Sequence, residues 1–452
     1  MPRIAFIGAG SYVFTRELVK DILSVPELTT SELVFMDISS ENLEALKQLI
    51  SRDLDTNKLL NIQTTYTTDR RAALKDANYI INLVKIGGVE AFAHDIDIPM
   101  KYGISQCVGD TLCAGGIMYA QRNIPYILDL CNDIHEVAAP GALLLNYANP
   151  NAINTWVAET YGRVKTVGLC HGVQHGQTLI ARVLGIPEKE LQFTCLGINH
   201  LTWYTKIMHK GQNLCNQLLA AFEKDKTAMR EEKVRIDILR KFGYFSTESN
   251  GHLSEYLPWY RKNLDKLDDW IDTECWTNGI HAGYLHLCQK RAKQRLNINT
   301  LLQETTPLVY DYNHRSVEHA SYIIEALETG RIYRGHFNVV NHGAISNLPY
   351  DAVIEAPGYV DANGISIVRQ EPLPSSLAAV CRTNIDVQRL AIEAGIKGND
   401  QILRQAMLLD PLVGAVCDTN QIWAMVDELL IAEEKYLPQY QDTIQNLKDK
   451  TC

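Results

Sequence analysis

The short turn Gly8-Ala9-Gly10-Ser11 constrains this chain more than any other feature, because it sits between an apolar run, Ile4 to Ile7, and a helical stretch from about Phe14 to Leu23. A run that short and that apolar reads as a buried strand. Two glycines directly after it let the backbone turn into a helix and bring bare N–H groups to the helix N-terminus. Those groups, together with the helix dipole, suit a pyrophosphate. The next apolar run, Leu33 to Met36, ends at Asp37. A carboxylate there accepts hydrogen bonds from a ribose diol and repels the extra phosphate of NADP, so NAD is the expected cofactor, bound by Gly8, Gly10, Ser11 and Asp37. Val13 occupies the third glycine position of the full fingerprint. On these residues alone a tight turn without a ligand stays open.

Further apolar runs follow at Tyr79–Val84, Ala142–Leu145 and Val164–Leu169, with helical stretches between them. The fold class this spacing predicts is α/β: a Rossmann-type doubly wound parallel sheet followed by an α+β domain, as in lactate and malate dehydrogenases. The expected division is an NAD-binding domain over 1–195 and an α+β substrate, catalytic and oligomerisation domain over 196–452. In the second part, Leu218–Phe242 is charged and helix-like, and Gly243–Pro258 reads as a functional loop. Lys262–Arg295 reads as a solvated surface helix. Val339–Ile367 reads as short strands broken by Asn/Gly/Pro turns, and Asn384–Tyr440 as helical throughout.

With a net charge of -10, the 452-residue chain lacks the basic balance of a nucleic-acid or membrane-surface binder, and neither partner is expected. No stretch reaches the about eighteen uninterrupted apolar residues of a membrane helix. Met1 to Ile7 lacks a signal-peptide cleavage site. Eleven cysteines, an odd number in a large chain, read as reduced thiols, which makes the cytoplasm the expected compartment.

Three apolar strands end in polar residues: Asn146 with Asn149, then Cys170-His171, and later Gly197-Ile198-Asn199-His200. In a doubly wound sheet such strand ends open onto the ligand crevice. A thiolate and an imidazole, Cys170 and His200, can hold a divalent metal while substrate oxygens fill the other positions. Taken singly, each is equally a small buried hydrophobe or a satisfied core histidine.

The ordered set of motifs resembles glycoside hydrolase family four, the NAD- and manganese-dependent glycosidases. It comprises Gly8-Ala9-Gly10-Ser11, Ile98-Pro99-Met100-Lys101-Tyr102-Gly103, Gly115-Gly116-Ile117, Asn146-Tyr147-Ala148-Asn149-Pro150, Cys170-His171-Gly172-Val173 and Gly197-Ile198-Asn199-His200. It continues with Thr247-Glu248-Ser249, Glu255-Tyr256-Leu257-Pro258-Trp259, Asn347-Leu348-Pro349 and Val360-Asp361-Ala362-Asn363-Gly364, so it spans nearly the whole chain. The resemblance implies an oxidation–elimination route instead of two-carboxylate hydrolysis. NAD takes hydride from carbon 3 of the sugar, the resulting ketone acidifies the carbon 2 proton, and the metal stabilises the enediolate. A base removes that proton, the aglycone leaves, water adds and the hydride returns.

By the same resemblance, Cys170 and His200 are the metal ligands (Mn2+ or another divalent ion) and Asn149 binds substrate hydroxyls. Asp110 matches an acidic residue that strengthens the base, and His171 stands where some members place the leaving-group acid. Phospho-members use a tyrosine in a Tyr-Leu-x-x-Tyr stretch as base. Here His252-Leu253-Ser254-Glu255-Tyr256 offers Tyr256 first and His252 second, and a tyrosine base needs a lowered pKa. Cys113-Ala114 also departs from the Gly-Pro that many relatives carry before the glycine pair. Within the melibiase-like and uronidase-like branch, Cys170-His171-Gly172-Val173 points to the uronidase side, since galactosidases tend to carry Ser after the histidine. A glycine at 172 leaves room and removes an acidic neighbour, which suits a substrate carboxylate. Arg382 or Lys85 would then be its cationic partner. The expected substrate is an α-galacturonide or α-glucuronide, with an α-galactosidase of the same mechanism as the alternative. A 2-hydroxy-acid dehydrogenase and a non-catalytic NAD-binding sensor are further readings, which the Cys170–His200 pair disfavours. A homodimer or homotetramer is the expected assembly.

Overall fold

The computed structural model describes residues 1–272, 276–295 and 305–451. Six strands open the chain: β1 (Arg3–Ile7), β2 (Glu32–Met36), β3 (Gln63–Thr67), β4 (Tyr79–Asn82), β5 (Leu143–Asn146) and β6 (Thr166–Gly168). They pair in parallel in the order β3-β2-β1-β4-β5-β6, the doubly wound order. The central strands must be apolar on both sides, because helices cover both faces. In β1, Ile4 and Phe6 enter a core with Leu18 of α1 (Tyr12–Leu23) and Leu46 of α2 (Ser40–Thr56). Ala5 and Ile7 face the opposite way, into a core with Ile117 and Leu130 of the long α4 (Cys113–Val137), which follows α3 (Gly88–Lys101). Helices α5 (Asn151–Trp156) and α6 (Gly172–Leu184) follow β5 and β6.

The sheet does not stop at β6. Strands β7 (Gln192–Ile198), β8 (Leu201–His209), β9 (Gln212–Asn213), β10 (Tyr333–Val340), β11 (Val353–Asp361) and β12 (Gly364–Ile367) extend it. Beyond β6 the order is β10-β11-β7-β8-β9, all antiparallel, with β12 on β11. The position expected as a domain boundary, 195, falls inside β7, so the sheet runs across it. Helices α7 (Asn250–Tyr256), α8 (His319–Thr329) and α9 (Ser375–Lys397) complete the parts that matter for the site.

Several local expectations change. The edge strand β3, Gln63-Thr64-Thr65-Tyr66-Thr67, carries no apolar run and escaped the pattern; its half-exposed edge position tolerates polar residues. Gly243–Pro258 is not a loop throughout, since it contains α7 with its N-terminus capped by Ser249. Lys262–Arg295 is not one surface helix: a 3-10 turn covers Leu264–Asp269 and a helix covers Gly283–Arg295, with 273–275 outside the described residues. Leu218–Phe242 belongs to three helices, Cys215–Lys224, Lys226–Glu231 and Lys233–Phe242, the second capped by Asp225. The nine cysteines among the described residues are free thiols. No helix among them is long and apolar enough to cross a membrane.

Two histidines beside the added strands tie stability to pH. His319, at the start of α8, hydrogen-bonds the Cys170 carbonyl through Nε2 (3.0 Å), while His336 of β10 accepts from the Cys195 amide (3.1 Å). Burial lowers their pKa values to about 4 and about 3, so both are neutral in the folded chain. An unfolded histidine titrates near 6.5, so this stability is present above that pH and is lost as pH falls toward 4. Two extra protons on the unfolded state give a slope of about 3 kcal/mol per pH unit from these residues near pH 5. Urea unfolding from pH 7.5 to 4.5 should show this fall, and His336→Gln, which keeps an acceptor, should flatten it by about half. An unchanged slope in that variant would contradict the assignment.

Candidate active site

The parallel sheet brings the ends of β1, β2, β4, β5 and β6 to one edge, which carries the Gly8 loop, Asp37, Lys85, Asn149 and Cys170. Gly8 adopts φ 85°, and both its amide and that of Ala9 donate to the Met36 carbonyl (2.9 Å each). The Asp37 carboxylate accepts from Gly10 N (2.8 Å) and Ser39 N (2.9 Å). A Cβ at Gly10 would lie 2.5 Å from Asp37 Oδ2, so only glycine lets the loop pass this close. Ser11 is the N-cap of α1 and makes no side-chain cap, leaving the helix N-terminal amides available to a ligand. Val13 is exposed on the first turn of α1.

Cys170 follows β6, and His200 occupies the two-residue turn between β7 and β8, where Ile198 pairs with Leu201. The structure adds a third donor that the spacing did not reveal, Glu248. Single ligand atoms of Cys170, His200 and Glu248 all lie within 4.8 Å of one another. Glu248 Oε1 is 3.3 Å from Cys170 Sγ and 3.7 Å from His200 Nε2. His200 and Glu248 both have left-handed backbone, φ 62° and 66°, a strained state that non-glycine residues keep where the surroundings enforce it. A soft sulfur, a ring nitrogen and a carboxylate at this spacing fit a divalent cation.

The remaining polar groups point His200 at that position. Its Nδ1 lies 3.1 Å from Thr111 Oγ1 and 3.5 Å from Tyr256 OH. Thr111 Oγ1 in turn donates to Asp110 Oδ1 (3.1 Å), which also accepts from Asn149 Nδ2 (3.2 Å). With the threonine proton committed to Asp110, His200 Nδ1 is the donor and Nε2 keeps its lone pair toward the cluster. Asp110 therefore acts on a metal-ligand candidate through Thr111.

Charge is unevenly shared here. Burial would raise the Glu248 pKa, yet the charges of His200, His252 and His171 hold it at about 2. Burial and the carboxylates of Glu248 and Glu355 push the Cys170 thiol well above its ordinary value, so a cation must displace its proton. Tyr256 is buried, and burial with Glu255, Glu248 and Asp110 raises its pKa well above the ordinary value; the lowering that a tyrosine base needs is not supplied by the protein. His252, mainly through burial, is lowered to about 4. Its Nδ1 pairs with Ser249 Oγ (2.7 Å), its Nε2 is 3.9 Å from Glu248 Oε2, and its ring centre is 4.9 Å from that of His200. His171 stands at the open side of the cluster with Nδ1 2.8 Å from Glu318 Oε1. Burial alone would lower its pKa, but the hydrogen bond and charge of Glu318, with the charge of Glu248, raise it.

The expected substrate cations behave differently from each other. Arg382 stands apart from this network, exposed on α9, with its guanidinium donating to the Asn347 carbonyl (3.0 Å). Lys85 is no surface charge: its Nζ lies 3.7 Å from the Phe92 ring centre and 5.0 Å from that of Tyr284, buried and without a hydrogen-bond partner among the described residues. The room expected beside Gly172 is also not vacant of acid. A Cβ at Gly172 would fall 1.6 Å from Glu248 Oε1, so the glycine admits the Glu248 carboxylate.

Comparison with known proteins identifies the family of the chain. The profile of Family 4 glycosyl hydrolases matches residues 3–186, and that of the Family 4 glycosyl hydrolase C-terminal domain matches residues 195–413. An α-galactosidase of Rhizobium meliloti is 52% identical over 99% of this chain and 91% of its own. An α-galactosidase of Bacillus subtilis is 32% identical over 97% and 100%. An α-galacturonidase of Thermoanaerobacterium saccharolyticum is 26% identical over 96% and 96%. The 6-phospho-beta-glucosidase of Thermotoga maritima, solved with manganese, NAD+ and glucose-6-phosphate, superposes with TM-score 0.78 at 23% identity, covering 96% of this chain and 99% of that one. The malate dehydrogenase of Naegleria fowleri shares the fold more distantly, with TM-score 0.52 at 11% identity, covering 87% and 98%. The two matched profiles account for most of the sequence, and the chain belongs to the family 4 glycosyl hydrolases.

Proposed function

We propose that this enzyme is an NAD- and divalent-cation-dependent glycosidase acting on α-galactosides. The observation that carries the substrate is the 52% identity, over nearly the full chain, with a relative named α-galactosidase. This reverses the preference drawn from Cys170-His171-Gly172-Val173, because the space that favoured a uronate is filled by Glu248. NAD belongs at the Gly8–Ser11 loop and Asp37, and the cation belongs between Cys170, His200 and Glu248. When bound, the dinucleotide supplies reversible hydride acceptance from carbon 3, and the cation supplies Lewis-acid polarisation of the neighbouring oxygen.

The chain's own residues supply the proton chemistry and the orientation. His252, neutral at pH 7, receives the carbon 2 proton at Nε2 and replaces Tyr256 as the preferred base. Tyr256 and Thr111 hold the His200 ring. His171, whose pKa the Glu318 carboxylate raises, donates from Nε2 to the departing glycosidic oxygen. Asn149, anchored by Asp110, presents its amide to a sugar hydroxyl.

A second reading, an α-galacturonide, draws on Lys85. The buried Lys85 Nζ lies against aromatic faces without a hydrogen-bond partner among the described residues, and a substrate carboxylate would supply one. Aryl α-galactoside, α-galacturonide and α-glucuronide, assayed with NAD, Mn2+ and a thiol reductant, separate the readings. Galactoside turnover at least about tenfold above either uronide is expected, a difference of 1.4 kcal/mol or more. The reverse order would overturn the proposal in favour of Lys85. Net NADH accumulation would point to a dehydrogenase instead.

A further inference from the structure

Glu255 belongs to a motif that the reaction above leaves unused, and its surroundings are unusual. It lies on α7 between His252 and Tyr256, whose side chains face His200. Its own carboxylate turns to another loop and collects three consecutive backbone amides. Cys107 N and Val108 N donate to Oε1, the latter at 2.6 Å, and Gly109 N donates to Oε2 at 3.1 Å. Glu255 is 1% exposed. The next residues after these amides are Asp110 and Thr111, the pair that fixes His200.

A buried carboxylate is an expensive way to hold a loop unless the hold matters, because any partner it loses leaves a charge in an apolar setting. Here the loop has no secondary-structure ladder of its own, and Gly109, with φ 62°, turns the chain immediately before Asp110. Close packing backs the clamp: a Cβ at Gly109 would lie 2.4 Å from Ile96 Cδ1, and one at Gly251 would lie 2.7 Å from Cys107 Sγ. Arg261, fully buried, adds a second tie, donating to the Ser105 carbonyl (2.7 Å) and to Ser254 Oγ (3.0 Å), next door to Glu255. Thus one short helix carries the proton-accepting candidate on one side and grips the Asp110 loop on the other.

We propose that Glu255 is a positioning residue which splints α7 to the 107–109 backbone, and so holds Asp110 and Thr111 in register with His200. The proposal rests on the functional reading above only for its kinetic arm. Glu255→Gln has the same shape, but its amide group must turn an N–H toward at least one backbone N–H. In the ligand-free protein, hydrogen exchange of the 107–111 amides should then rise by on the order of tenfold or more, with exchange in β1 unchanged. In the loaded enzyme kcat should fall by on the order of tenfold to a hundredfold, the cost of displacing catalytic geometry by about 1 Å, while NAD affinity stays as in the parent. The loss should be largely absent in an Asp110→Asn background, since both changes break the same line; a purely structural role would give additive losses. Glu255→Asp, which keeps the charge on a shorter arm, should recover part of the kcat and of the amide protection. Unchanged exchange at 107–111 in Glu255→Gln, or full additivity with Asp110→Asn, would overturn the proposal. Should no aryl glycoside be turned over by the parent enzyme, the functional reading fails and the exchange measurement still decides on the splint.

Discussion

Glu248→Gln is expected to weaken Mn2+ binding by on the order of a hundredfold or more and to abolish cation-dependent turnover, while leaving NAD affinity unchanged. The carboxylate lies 3.3 Å from the Cys170 sulfur and 3.7 Å from His200 Nε2, and its pKa is held at about 2. A cation entering this buried space meets one imidazole, one thiol that must first lose its proton, and one full negative charge that is already present. Glutamine keeps the oxygen and removes that charge, where low dielectric makes the charge count most. One effect opposes this: without Glu248 the Cys170 thiol ionises more easily, because a like charge has left. A direct ligand and its charge should outweigh that relief. Calorimetric titration of Mn2+ into the ligand-free protein, beside a dinucleotide titration, measures both terms. Cation affinity within about threefold of the parent would remove Glu248 from the metal site.

The second large effect is expected at a position with no functional group. In Gly172→Ala the new methyl carbon would lie 1.6 Å from Glu248 Oε1 and 2.4 Å from its carboxyl carbon, distances that no rotamer adjustment of alanine relieves. Either Glu248 leaves the cluster or the start of α6 moves, and that start follows Cys170 by two residues. Both outcomes break the donor set, so kcat/KM should drop by on the order of a hundredfold or more. Thermal stability should fall far less than activity, since the atoms that must give way are the end of the flexible Glu248 side chain and leave no cavity in an apolar core. Removing the obstacle offers the internal check. The double variant Gly172→Ala/Glu248→Ala should be no less thermally stable than Glu248→Ala alone, because the clash is gone once the carboxylate is gone. Near-parental activity in Gly172→Ala would show that Glu248 does not sit where the structure places it.

These two positions also mark the border of what could be read from the chain. The Gly8-x-Gly10 turn, the apolar runs of β1, β2, β4, β5 and β6, and the polar residues at their ends were legible, because each depends on neighbours a few places away. Cys170 and His200 stand out in the sequence as strand-end residues and meet in space. Glu248 lies in the Thr247-Glu248-Ser249 motif, whose spacing carries no sign of a ligand role. Its contact with Cys170 spans 78 residues, and that of His171 with Glu318 spans 147. Nothing in local spacing reports such distances. Gly172 differs from its sequence expectation for the same reason: an absent side chain reads as empty space, and Glu248, from the segment before α7, fills it.

What the sequence by itself determined was the doubly wound half, its Gly8-x-Gly10 turn and the kinds of atom available at the strand ends. Periodicity and turn chemistry are properties of short segments, and burial on two faces writes itself into apolar runs. Only the tertiary structure decided which of those atoms converge, that Tyr256 is buried among carboxylates while His252 stays neutral, and that Lys85 is enclosed by rings while Arg382 faces solvent. Convergence and pKa are set by packing across the added strands and α7, where the electrostatic environment of a group comes from residues far away in the chain.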